Sequence, residues 1–223
     1  MSICVGIDEA GRGPVIGPMV IAAVRCTPDQ LQVLEKEGFS DSKTVSTSVR
    51  DEKRTYLEDS EVDFYTEVIP ARDIEHASLT ELSLDATSEL INRAEPDEVL
   101  MDAPGHPSSM PEYLSRLRDR LDQNPSPSLT AEPGADDTYT IVSAASIIAK
   151  TLRDRKIEEL KEQFGDLGSG YPSDPTTREF LKNHLSKDEP VRDHIRTRWS
   201  TFQDLLAEAG GPLYQSQNEE KKP

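Results

Sequence analysis

The chain reads as an α/β protein with a mixed central sheet flanked by helices. Three observations carry that reading. Apolar runs and amphipathic stretches alternate in the order strand, strand, helix, strand, helix, strand, helix. The first two runs, residues 3–7 and 19–25, are joined by a glycine-rich loop, as in a long hairpin. Asp8 and Asp102 each follow a short apolar run, so neighbouring strands would bring both acids to one sheet edge, where open α/β sheets bind ligands.

Taken in order, the first strand is Ile3-Cys4-Val5-Gly6-Ile7, meeting Asp8-Glu9 and then a glycine-rich turn; the second is Met19 to Arg25. Residues 29–37 are expected to be helical, Ser40-Asp41-Ser42-Lys43 forms a polar turn, and a charged helix covers about 46–58. Val62 to Ile69 alternates as a third strand that Pro70 ends. Leucines and Ile91 recur at helical spacing over 79–93, which predicts a helix facing the core. Glu98 to Met101 is a short buried strand, residues 110–122 an amphipathic helix, and 123–137 an exposed loop with a short strand near 128–132. Small residues Ser143 to Ser146 begin a helix running to about 163, where a second backbone can approach closely. Residues 168–175 are a turn presenting Tyr171, followed by helices at about 175–185 and 199–208. The division expected is one catalytic domain over 1–209, with a helical C-terminal extension from about 175 and a polar, disordered tail over 210–223.

Composition narrows the function classes. The 223 residues suffice for one substantial core. No run has membrane length and no signal-peptide pattern is present, which predicts a cytoplasmic protein without membrane contact. Cys4 and Cys26 lie in apolar runs as reduced thiols without zinc-site spacing, and His76, His106, His184 and His194 form no H-x-x-x-H pair. The formal net charge is −17. Such acidity ordinarily argues against nucleic-acid binding. Here aromatics are few, Arg outnumbers Lys and acids run along the whole chain, the pattern of a protein adapted to concentrated salt. At about 1 M salt the Debye length is ~3 Å, so global charge then says little about the ligand.

Asp8-Glu9 is the chemical focus. Two acids beside a buried strand need a compensating charge, and a hard divalent cation supplies one. The bland alternative is a solvated strand end or an N-cap. Gly11-Arg12-Gly13 offers bare backbone N–H groups and one guanidinium, suited to phosphate or ribose. The spacing Gly11-x-Gly13-x-x-x-Gly17 misses the dinucleotide fingerprint, and the acids before it would repel a pyrophosphate. Asp8-Glu9, Asp102 and Asp136 together make four carboxylates on rigid elements, a set able to hold two Mg²⁺ or Mn²⁺ ions for phosphoryl displacement.

These motifs, in this order, resemble the type 2 ribonucleases H, specifically archaeal ribonuclease HII. The resemblance spans most of residues 3–200: Gly6 to Pro14, Asp41-Ser42-Lys43, the Asp102 strand end, Asp136 seven residues before Ser143-Ala144-Ala145-Ser146-Ile147, Ala149-Lys150, Arg153-Asp154 and Gly168 to Asp174. It implies a ribonuclease H-like fold and an endoribonuclease acting on RNA–DNA hybrids and at ribonucleotides embedded in duplex DNA. By the same resemblance Asp8, Glu9, Asp102 and Asp136 match the family's metal-binding carboxylates, and the products carry 3′-hydroxyl and 5′-phosphate ends. Gly11, Arg12 and Gly13 match the loop that senses the ribose 2′-hydroxyl, the group that separates RNA from DNA. Tyr171 matches the tyrosine that packs on the neighbouring sugar. Lys43, Ser143, Ser146, Lys150 and Arg153 are candidate phosphate contacts, with an Arg153–Asp154 salt bridge as the structural alternative for the last. Asp137 is the competing neighbour of Asp136; the spacing to Ser143 favours Asp136. Arg192, Arg196 and Arg198 form a local basic cluster, read either as a duplex-tracking surface or as a solvated helix end.

Two departures stand out. Relatives commonly carry a lysine where this chain has Gly134, and the segment Pro212 to Gln217 does not fit a sliding-clamp peptide. No clamp contact is therefore expected, and the protein is expected to be a monomer. Three other readings compete: a different nuclease of the same fold acting on all-DNA junctions, a non-enzymatic hybrid- or cation-binding module, and an acidic salt-adapted protein with no nucleic-acid role. The last leaves the ordered motifs unexplained.

Overall fold

The computed structural model describes residues 2–39, 46–185 and 189–210. Asp41-Ser42-Lys43, with the candidate Lys43, and all of the tail beyond Gly210 lie outside the described residues.

The chain is organised as two compact units, one formed up to Arg12 with Met19–Ile69 and Ala77–Arg155, the other by Gly13–Pro18, Pro70–His76 and the chain from Lys156 on. The first unit holds the sheet. Strands β1 (Cys4–Ala10) and β2 (Met19–Cys26) pair antiparallel, with Asp8 opposite Ala22 and Glu9 opposite Ile21. The expected hairpin is present, but β1 runs three residues further than its apolar run suggests. Helices α1 (Pro28–Lys36) and α2 (Thr47–Asp59) follow, α1 opened by a Thr27–Gln30 capping box. Strand β3 (Asp63–Ile69) pairs antiparallel with β2. After α3 (Ala71–Ile74), which belongs to the second unit, α4 (Leu79–Ala94) leads into β4 (Glu98–Asp102), parallel to β1. Helix α5 (Met110–Arg118) and β5 (Ser128–Glu132) complete a five-stranded mixed sheet in the order β3-β2-β1-β4-β5. The one-turn α6 (Ala135–Thr138) precedes α7 (Thr140–Phe164).

Strand β2 is buried along almost its whole length, as expected of a strand covered on both faces. The start of α7 supplies one cover: Ile141, Val142, Ala144, Ala145 and Ile148 are fully or nearly fully buried with Val20, Ala22 and Val24. The small residues there do permit a close approach, and Gly6 sets it. A Cβ on Gly6 would fall 2.4 Å from the carbonyl carbon of Ile141, so only glycine lets α7 lie this close to β1.

The second unit is built around Val15, Ile16, Phe180, Leu181, Ile195 and Phe202, contributed by the glycine-rich loop, α8 (Pro175–Asn183), the segment near Ile195 and α9 (Ser200–Glu208). Ile16 bridges Ile195, and Val15 N–H donates to the Gly170 carbonyl at 2.8 Å. The Arg192/Arg196/Arg198 cluster divides: Arg192 is half-buried and Arg198 exposed, while Arg196 is buried, which corrects the surface readings for Arg196 alone. Arg196 is 0% exposed and donates to the Gly17 carbonyl at 3.0 Å; Arg192 lies 4.3 Å from the Phe202 ring centroid; Arg198 donates to the Glu75 carbonyl at 2.9 Å. A buried guanidinium needs such carbonyl partners, and supplying them ties the loop at Gly17 to the C-terminal segment.

Candidate active site

Because β1 continues through Ala10, Asp8 and Glu9 are strand residues, and consecutive strand residues point to opposite faces. Asp8 shares the face of Ala22 and Gly6, against α7. Its Oδ1 accepts the Glu9 N–H at 2.7 Å, and its side chain meets the influence of Ser146 and Lys150, one helical turn apart on α7. Ser146 Oγ is fully buried, makes no hydrogen bond of good geometry, and still lowers the Asp8 pKa by its proximity. Burial nonetheless wins: the Asp8 carboxyl, 6% exposed, is pushed up to about 7, while Lys150 and Ser146 pull it down and Asp102 adds repulsion.

Glu9 faces the other way, toward α4 and α5. Arg12 donates to its Oε1 at 2.7 Å, and Ser83 Oγ donates to its Oε2 at 3.3 Å. Burial raises its pKa, and the Arg12 charge opposes that rise. Ser83 in turn lies 3.1 Å from the Tyr113 hydroxyl, which reaches Thr87 at 3.5 Å.

Asp102 ends β4 beside Asp8, since Ile7 pairs with Met101. The expected convergence at one sheet edge is therefore realised. Its Oδ1 accepts two backbone N–H groups, Gly134 at 2.7 Å and Ala135 at 3.0 Å. Gly134, at the position where relatives commonly carry a lysine, has φ +72°, a left-handed conformation that glycine adopts without strain. That turn delivers Asp136, 6% exposed and 3.6 Å from Lys150 Nζ, whereas Asp137 is exposed. Asp8, Glu9 and Asp102 line one small pocket with Ser83, Thr87 and Tyr113. Among the described residues no three acidic, histidine or cysteine side chains close into ligating geometry; each carboxylate is instead held by its own amide, hydroxyl or cation partner.

The other candidates divide by burial. Lys150 is half-buried, pairs with Asp136 at 3.6 Å and lowers the Asp8 pKa through its charge. Ser143 and Ser146 are wholly buried, and the Ser143 hydroxyl donates to the Phe39 carbonyl. Arg153 is 5% exposed and pairs with Asp154 at 3.4 Å, the structural alternative. Gly11 has φ +88°. In the second unit Tyr171 is 41% exposed, and a Cβ on Gly13 would lie 3.9 Å from its ring. A cleft of about 140 Å³ is lined by Arg12, Thr80, Gly105, Ser109, Tyr113 and Arg116.

Ser83, Thr87 and Tyr113 were not singled out from the sequence. The signal was present: Ser83 and Thr87 are polar residues four apart on the apolar stripe of the 79–93 helix, where a buried hydroxyl demands a partner.

Comparison with known proteins decides the family. The model of the ribonuclease HII family matches residues 5–202. The ribonuclease HII of Methanococcus maripaludis strain C7 is 39% identical over 217 residues, covering 92% of this chain and 88% of that protein. The chain belongs to the ribonuclease HII family. The crystal structure of ribonuclease H2 from Pyrococcus horikoshii superposes with a TM-score of 0.81 at 36% identity, over 92% of this chain and 98% of that one. Ribonuclease HII of Archaeoglobus fulgidus, solved as a complex with PCNA, gives 0.77 at 36% identity, over 89% and 95%. The fold is thus ribonuclease H-like, and family membership makes the protein a hydrolase of the ribonuclease H type.

Proposed function

We propose that this protein hydrolyses the RNA strand of RNA–DNA hybrids and incises duplex DNA on the 5′ side of embedded ribonucleotides, leaving 3′-hydroxyl and 5′-phosphate ends. The observation that carries this reading is the placement of Asp8 and Asp102 on neighbouring parallel strands, lining one pocket with Glu9, while Lys150 links Asp8 to Asp136. The donor set fits Mg²⁺ or Mn²⁺: four carboxylates, hard oxygen ligands, two of them less than 10% exposed and one raised to about 7 by burial. Two such ions supply a water nucleophile ionised at neutral pH and stabilisation of the leaving oxygen. Asp8, Glu9, Asp102 and Asp136 are the residues assigned to hold them.

The chain's own residues do the rest. Asp102 is oriented by the Gly134 and Ala135 amides, which donate to its Oδ1. Lys150 neutralises Asp8 and Asp136 and offers one charge to a phosphate. Gly11-Arg12-Gly13 presents backbone to the 2′-hydroxyl, and Tyr171 packs on a sugar. Ser143, through the Phe39 carbonyl, and Arg153, through Asp154, are read as structural contacts of α7, while Ser146 stands beside Asp8. Lys43 retains its expected phosphate role by resemblance.

We also read the acid excess as adaptation to concentrated salt, and the protein as a cytoplasmic monomer; no described helix is long and apolar enough to cross a membrane. Residues 212–217 lack a glutamine followed by paired aromatics, so clamp binding, the state in which the Archaeoglobus relative was solved, forms no part of the proposal.

The test is cleavage of a labelled DNA duplex containing one ribonucleotide, in molar KCl, with Mg²⁺ or Mn²⁺ against EDTA. A metal-dependent cut 5′ of the ribonucleotide, absent from the all-DNA duplex, is expected. Folded protein that cuts neither this duplex nor a long hybrid with either ion would sink the proposal.

A further inference from the structure

We propose that Tyr113, acting through Ser83, is a positioning residue that aims the Glu9 carboxylate at the bound cation; the inference rests on Glu9 being a ligand. Three hydroxyls from two helices converge behind this one acid. Ser83 and Thr87, four residues apart on α4, and Tyr113 on α5 are 1%, 2% and 5% exposed. Water does not reach them freely, so each hydroxyl must find its partner within the set. Ser83 has a single proton, and it points to Glu9 Oε2 across 3.3 Å. The Tyr113 hydroxyl lies 3.1 Å from Ser83 Oγ and donates toward Thr87 Oγ1 at 3.5 Å, so its one proton is shared between the two helix hydroxyls.

The arrangement matters because Arg12 holds Glu9 by the opposite oxygen. The Arg12 guanidinium attracts the whole carboxylate and sits on the loop that opens the second unit's chain segment. Ser83 and Tyr113 sit on rigid, packed helices. Together the two attachments fix both carboxylate oxygens, and thus the plane of the group. A ligand whose plane is fixed in advance loses less freedom when it binds.

The experiment is Mn²⁺ titration of the full chain by calorimetry and by EPR of free Mn²⁺, with thermal melting of the metal-free protein as control. The variants are Tyr113→Phe, Ser83→Ala, Ser83→Thr and Glu9→Gln. Outer-shell partners typically change metal affinity by ~10–100-fold, so Ser83→Ala is expected to weaken Mn²⁺ binding about 10-fold and Tyr113→Phe about 3–5-fold. Ser83→Thr, which keeps the hydroxyl, should recover most of the affinity. At saturating Mn²⁺ the cleavage rate of Tyr113→Phe should return to near that of the unaltered protein, a split that a merely loosened fold would not give. Unchanged Mn²⁺ affinity in folded Tyr113→Phe and Ser83→Ala, alongside a weakened Glu9→Gln, overturns the positioning role. Unchanged affinity in Glu9→Gln itself overturns instead the assignment of Glu9 as a ligand.

Discussion

Asp8 and Glu9 are adjacent in the chain, yet they answer to opposite faces of the sheet. Asp8 looks at α7, where the nearest cation, Lys150, sits beyond hydrogen-bonding distance from it and is shared with Asp136. Glu9 looks at α4 and α5, where a guanidinium binds it directly and a hydroxyl chain backs it. Both acids are raised by burial, but the causes that oppose the rise differ: proximity of a hydroxyl first for Asp8, a full ion pair first for Glu9. The lesson is that two neighbouring carboxylates acquire separate electrostatic settings simply through strand alternation. One remains dependent on an incoming cation, and the other is already partly neutralised.

The sharpest way to break this comparison is to remove one carboxylate at a time. Asp8→Asn and Asp102→Asn keep the side-chain shape and delete the charge. Each should lower cleavage by about 10³-fold, since a correctly held ion is worth several kcal/mol. Circular dichroism should show an unaltered fold, and near-normal turnover in either variant would refute the site. Asp136→Asn should behave likewise, while Asp137→Asn, altering an exposed side chain, should stay within about 2-fold of the unaltered rate.

Next in size is Gly6→Ala, which strikes the Asp8 face alone. Its methyl would collide with backbone at Ile141, so α7 must move away from β1. A loss of about 3 kcal/mol, roughly 6–12 °C in Tm, is expected. A Tm within about 2 °C of the unaltered protein would show that α7 does not depend on this contact.

The pH dependence sharpens the contrast further. Asp8 titrates near 7 in the folded, metal-free protein, above its ordinary 3.8. The folded state therefore holds this proton more tightly than the unfolded chain. Its contribution to stability is complete below about 4 and is lost as pH rises through 7. Cation binding must expel the same proton, so Mn²⁺ affinity should climb by up to about tenfold per pH unit below 7 and level off above it. A flat profile between pH 5.5 and 8 would contradict the setting assigned to Asp8.

Among the changes inside the site, the mildest effect is expected from Lys150→Met. Loss of that charge removes an influence that lowers the Asp8 pKa, so the midpoint of the Mn²⁺ profile should move to higher pH, with cleavage at pH 8 reduced only about 10-fold. A shift to lower pH would mean that Lys150 does not act on Asp8.

Much of this was legible in the chain before any coordinates. The apolar runs and the glycine loop announce the β1–β2 hairpin, and the leucine spacing announces α4, because burial imposes periods of 2.0 and 3.6 on any sequence that folds around one core. Asp8, Glu9, Asp102 and Asp136 were legible because acids at the ends of buried strands are costly and therefore informative. The partners of those acids were not. Ser83 and Thr87 read as ordinary helix residues until Tyr113, about 30 positions away, is brought against them. Arg196 read as a surface charge because a sequence shows a guanidinium but not the Gly17 carbonyl, 179 positions distant, that lets it be buried. Ser143 and Ser146 read as phosphate contacts because their composition is that of a binding site, and only packing reveals that they face inward.

By itself, then, the sequence determined the strand and helix order, the family and the identity of the acidic residues, since these rest on local periodicity and on motifs contiguous in the chain. Tertiary structure alone decided which face each acid occupies, which hydroxyls and cations stand behind it, and that Arg196 is interior. Those are matters of long-range pairing: a burial cost or an ion pair exists only once two distant segments share the same low-dielectric space.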